Sequence, residues 1–134
     1  MATTAIRFGH MSTNDLTNYI PYCAIAAASA ANYDSLAQVP AGFNLIVCEI
    51  ESLDAEAYID IGYGDDAVDD NALPPTNYVT IAPSIYLNNN TGAKIKIDTY
   101  LVIAAEKYPC LKNIELASSC SVQIKGFLVA IPPP

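Results

Sequence analysis

Hydrophobic and polar residues alternate most cleanly between positions 57 and 63. Ala57, Ile59, Ile61 and Tyr63 fall on one side; Glu56, Tyr58, Asp60 and Gly62 fall on the other. A period of two is the mark of a half-buried antiparallel strand. The stretch before it, Phe43 to Glu51, is apolar on both alternating positions through Leu45, Ile46, Val47 and Cys48, which predicts a strand covered on both faces. Lys94 to Ile103 begins by alternating Lys94, Lys96 and Asp98 with Ile95, Ile97 and Thr99, then turns apolar on both faces from Tyr100 to Ile103. Val122 to Ile131 ends in the same way, at Phe127, Leu128 and Val129. Leu111 to Leu116, after Pro109, reads as another strand. Tyr78 to Leu87 is β-rich but interrupted at Pro83, which predicts a bent or edge strand.

The remaining stretches are less regular. Thr4 to Phe8 is a short apolar-leaning segment, a first strand or an arm onto a neighbour, and Gly9 to Asn18 is polar and turn-rich. In Tyr19 to Ala31 the alanines favour a helix, whereas Pro21, the β-branched Ile20 and Ile25 and two tyrosines suit a strand. The strand fits the β pattern downstream. Pro40 and Gly42 mark a turn, as does Asn88 to Gly92. Gly64 to Thr76, with its acidic run and Pro-Pro step, is a loop. About eight closely spaced strands and no clear helix predict an all-β chain, an antiparallel β-sandwich. Residues 1–18 form an arm, or a first strand and loop, ahead of one sandwich domain over 19–134.

A shift of 64 positions superposes Asp34, Ala41, Ile50, Glu51 and Gly62 on Asp98, Ala105, Ile114, Glu115 and Gly126. Such a repeat suits a sandwich of two related Greek-key halves, the jelly-roll plan, with the two units in equivalent places.

Charge narrows the partners. The net charge is −8, and Arg7 is the one base before Lys94. Without clustered Lys and Arg, binding to a nucleic-acid backbone or an anionic membrane surface is not expected. The apolar runs are far shorter than the ~20 residues of a membrane-spanning helix. MATTAIRFGHM lacks the basic segment, apolar core and cleavage site of a secretory signal, which suits a chain made without export by that route or a mature form. Cys23, Cys48, Cys110 and Cys120 have no metal-ligand spacing. Three of the four lie in apolar surroundings and read as small buried hydrophobes, with a disulfide an option in oxidising surroundings.

Chemistry has little to work with. His10 is the sole histidine, no Ser or Cys has nucleophile-elbow spacing, and neither catalytic residues nor a cofactor is expected. Asp65, Asp66, Asp69 and Asp70 could ligate calcium, which takes six to eight oxygens. The EF-hand pattern is absent, so a solvated acidic loop is the simpler expectation. Asn89-Asn90-Thr91 matches a glycosylation sequon, read here as a turn.

The apolar surplus says more. A two-layer sandwich covers only one face of each sheet, yet three strands are apolar on both. Large bare apolar patches are rare on monomers, and the nine tyrosines are of a type favoured at interfaces. A homo-oligomer or a subunit of a larger assembly follows, with Leu45, Val47, Tyr100, Val102, Phe127 and Val129 as interface candidates.

The patterns V-P-A-G-x-x-L-x-V-x-x-I-E and I-x-I-G-Y-G, with I-A-A-x-K-Y-x-x-L-K-N-I-E-L-A and V-Q-I-K-G-F later, resemble small β-sandwich virion proteins of tailed bacteriophages. These include capsid decoration (cement) proteins and fibre-head domains. The resemblance covers Val39 to Ala130 and transfers no functional residue. It implies a non-enzymatic capsid decoration protein, an oligomer and often a trimer, made in the host cytoplasm. Such a protein sits on the outer surface of the virion and stabilises the shell by clamping the major capsid protein or other virion subunits. The alternative is a carbohydrate- or receptor-binding module of fibre-head type, using Tyr58, Tyr63 and Tyr78 beside the acidic loop.

Overall fold

The computed structural model describes residues 19–54, 56–87, 95–115 and 118–131, with 95–100 followed along the backbone alone. The expected N-terminal arm with Thr4–Phe8 and His10, the expected 88–92 turn with its sequon, and the Tyr100 side chain lie outside the described residues.

The strands are β1 (Tyr19–Ala28), β2 (Tyr33–Ser35), β3 (Phe43–Ser52), β4 (Ala57–Gly64), β5 (Val79–Leu87), β6 (Ile95–Ile103), β7 (Tyr108–Asn113) and β8 (Cys120–Ala130). The doubtful alanine-rich stretch is strand β1, because its alternate residues Ala26 and Ala28 are buried in the core. β2 was not expected: three polar-leaning residues are too short to show a period. The predicted Leu111–Leu116 strand begins earlier, at Tyr108, and takes in Pro109. That proline sits where the ladder to β2 runs out. Leu36 N–H donates to the Pro109 carbonyl at 2.7 Å, but proline has no N–H to return the bond, and β2 stops at Ser35.

Two antiparallel four-stranded sheets face each other, in the orders β1-β8-β3-β6 and β2-β7-β4-β5. First pairs with last, second with seventh, third with sixth, fourth with fifth. The chain is therefore one long hairpin, doubled over on itself. Advancing every strand by four converts the order of the first sheet into that of the second, reversed. The 64-residue sequence shift makes the same exchange, carrying β3 onto β7 and β4 onto β8, with β1 and β2 overlapping β5 and β6. Those two β3–β4 and β7–β8 units supply all four inner strands.

The core lies between the sheets. Leu45, Val47 and Ile50 of β3, Val122 and Ile124 of β8 and Ile103 of β6 meet Ile59 and Ile61 of β4, Leu87 of β5 and Leu111 of β7. β3 keeps both Val47 and Ile50 inside because the register shifts between Val47 and Glu49 against both neighbours. Cys48 is the extra residue of a bulge, and inward positions move from odd to even numbers. Beside the bulge, Gly126 has no room for a Cβ, which would run into the Ile46 carbonyl.

Candidate interaction surfaces

On the outer face of the first sheet, Pro21, Phe127, Ile46 and Val102 stand opposite one another on β1, β8, β3 and β6. They form an apolar row across all four strands. Phe127 is 43% and Val102 53% exposed. Below this row the face becomes polar through Lys125, Glu49, Gln123 and Glu51. A shallow groove of about 400 Å³ lies between, lined by Pro21, Tyr22, Cys23, Cys48, Glu49 and Lys125 among others. Burial, and then the neighbouring Cys23, push the Tyr22 phenol up to about 12.

The sequence candidates divide on this face. Val102 and Phe127 point outward, and Val129 is half-buried. Leu45 and Val47 are fully buried between the sheets, so their apolar character is satisfied by the sandwich itself. Ile46, between them, is the outward residue. Continuous apolar runs carry no parity, and the bulge that sets it here has no sequence mark. Pro21 is not among the sequence candidates for another reason: in the sequence a proline there argues only against a helix.

The acidic loop is pinned to the sandwich. Asp66 accepts from Thr76 N–H at 2.8 Å and Thr76 Oγ1 at 2.7 Å. Asp65 accepts from Asn77 Nδ2 at 2.7 Å and pairs with Lys107 Nζ. Asp70 accepts from Ser29 N–H at 2.7 Å, Ser29 Oγ at 2.8 Å and Asn32 Nδ2 at 3.0 Å. These donors hold all three carboxyls below the usual carboxylate range: Lys107 chiefly for Asp65, Thr76 for Asp66, and the Ser29 backbone for Asp70. Tyr33 and Asn71 exchange backbone bonds of 2.7 and 2.8 Å, so the loop lies along the free side of β2. The carboxylates are exposed, yet three of the four candidate calcium ligands have separate structural partners. Among the described residues, no group of three or more His, Cys, Asp or Glu side chains is placed to hold a metal ion.

The tyrosines expected beside this loop have different surroundings. Tyr63 packs on the core, and Tyr78 meets Tyr33 edge-on with ring centres 5.2 Å apart. Tyr58 pairs instead with Tyr86, at 4.9 Å, on the outer face of the second sheet, and Tyr86 Oη donates to Glu56 at 3.0 Å. All four cysteines are free thiols.

No protein-family model matches the chain, and no curated protein matches it. Among solved structures, it is similar to two pentameric capsid proteins isolated from metagenomic phage sequences. The first is 15% identical with a TM-score of 0.39, over 87% of this chain and 62% of that one. The second is 16% identical with a TM-score of 0.31, over 97% and 85%. This chain thus spans less than two thirds of the first.

Proposed function

We propose that the protein is a non-enzymatic structural subunit of a phage virion, most specifically an oligomeric decoration protein that stabilises the capsid from its outer surface. The observation that carries this reading is the apolar row Pro21–Phe127–Ile46–Val102, on a sheet face that a two-layer sandwich does not itself cover. A doubled hairpin with partners one–eight, two–seven, three–six and four–five is the jelly-roll plan, used by viral capsid and lectin domains alike. Fold alone does not choose between them; the row favours assembly. The phage-protein resemblance of Val39 to Ala130 supports the particle as the setting, with the major capsid protein or another virion subunit as partner. The test is addition of purified protein to empty phage capsids. Co-sedimentation and a raised capsid melting temperature are expected, both lost in Phe127→Lys. A folded protein that neither binds nor stabilises capsids overturns the reading.

The second reading, a carbohydrate-binding module, has one observation in its favour: the exposed Tyr58–Tyr86 pair with Glu56 at its edge. Sugar rings stack on such aromatic platforms beside carboxylates. Glycan-array binding that is lost in Tyr58→Ala and Tyr86→Ala would establish it.

A further inference from the structure

The four sheet edges are not equally protected. An open edge presents unpaired N–H and C=O groups to other chains, and proteins blunt it by shortness, charge, proline, bulges or a covering loop. β2 has three residues and lies under the acidic loop, through the Tyr33–Asn71 bridge. β5 has register shifts on both sides of Ile61, contains Pro83, and has its Ser84 N–H taken by Asp60 at 2.8 Å. β6 carries Lys96 and Asp98 in its sequence. β1 has none of these beyond Pro21. It is ten residues long, YIPYCAIAAA, without a charge, and pairs with β8 without a register shift.

One end of β1 is closed. Ala27 N–H donates to Asp34 at 2.9 Å and Ser29 N–H to Asp70 at 2.7 Å. Since backbone groups of alternate residues face opposite sides of a strand, these bonds fix the parity: odd-numbered residues of β1 face away from β8. Tyr19, Pro21, Cys23 and Ile25 therefore aim their backbone groups at the open edge. Among the described residues nothing pairs with them. Pro21 is tolerated because the N–H it lacks would have pointed outward.

We propose that β1 pairs with β1 of a second copy across a two-fold axis, joining two first sheets into one of eight strands. Packing favours a second copy as the occupant, and charge permits it. Each chain carries a net charge of −8, so identical chains approach best through a neutral surface, and β1 supplies one. The apolar row also ends at Pro21, on this edge, so pairing would join the rows of two copies into one band. The hydrogen-bond pattern selects the register. Placing Tyr19 opposite Ile25 and Pro21 opposite Cys23 uses every outward N–H of Tyr19, Cys23 and Ile25, about six bonds per dimer. Placing Cys23 opposite its own copy would set Tyr19 against Ala27, where the Asp34 carboxylate already lies on the edge; without that pair about four bonds remain, because Pro21 has nothing to donate. The inference rests on edge geometry, and neither outcome of the capsid experiment decides it.

The test uses the full chain in solution. Sedimentation is expected to show a dimer, weakened at least about tenfold by Ile25→Lys, a charge on the edge. Ile25 is 56% exposed, so melting of that variant should be nearly unchanged. In a Cys23→Ser background, Tyr19→Cys mixed with Ile25→Cys should give an oxidised heterodimer. Facing residues would be about 5.5 Å apart, within disulfide range. Either variant alone should give none, its two copies of one position lying roughly 20 Å apart. A monomer at all accessible concentrations overturns the proposal, including one whose β1 amides resist exchange because its own chain covers them. A dimer indifferent to Ile25→Lys, or a Cys23–Cys23 cross-link in the unaltered protein, also overturns it.

Discussion

Asn113 is a heavily used polar side chain in the interior. It is fully buried, and its Nδ2 donates to the carbonyls of Ala28, Ser29 and Ser118 at 3.2, 3.3 and 2.7 Å. Its Oδ1 accepts from Glu115 N–H at 3.0 Å. The end of β1, the end of β7 and the approach to β8 thus meet on one amide. Asn113→Ala strands those groups and should cost about 2–4 kcal/mol in chemical denaturation. Thiol chemistry should follow exposure at the same scale. Burial pushes Cys110 and Cys120 up to about 11, so they should resist a thiol reagent at neutral pH until the chain unfolds. Exposed Cys23 should react first. Burial of three of the four cysteines was the expectation from apolar neighbours; Cys110 and Cys120 are buried, Cys48 is half-buried in the β3 bulge and Cys23 is exposed. The part played by Asn113 was not legible, because two of its partners, Ala28 and Ser29, lie 85 and 84 residues away in the chain.

Among elements, β4 was the most legible, because one of its faces is core and the other is not. β3 was legible as a strand but not in its facing, since Leu45 to Cys48 offers no polar residue to set the phase. Gly126 shows what the bulge demands: Gly126→Ala forces a methyl group against the Ile46 carbonyl. It should destabilise by about 2 kcal/mol or more, read from the denaturation midpoint. The 65–77 loop was legible as irregular and acidic, but not as fastened. Its carboxyls lie below the unfolded aspartate value of ~3.9, so their contribution is complete above that value. It is lost as pH falls through their lower folded values. Proteolysis or hydrogen exchange should therefore find the loop closed at pH 6 and opening below about pH 4. It should open ahead of β3 and β8, whose buried residues include no carboxyl group.

At the scale of the molecule, the outer row can be separated from stability. Val102→Lys and Phe127→Lys replace exposed side chains and should change folding stability by only about 0.5–1 kcal/mol. Attachment to a particle should fall sharply, a contrast that melting and co-sedimentation measure together. The doubled hairpin has a consequence for how the chain is made. β8 stands between β1 and β3, so the first sheet has a gap at its centre until the last of the eight strands emerges from the ribosome. Until then β1 has no strand to pair with among the described residues, and the inward faces of β3 and β4 have only part of their cover. Such pairing across nearly the whole chain folds slowly, and its unfinished forms expose the strand edges on which chains aggregate. Yield in cells should therefore be limited by the interval between the birth of β1 and that of β8, more than by the stability of the finished protein.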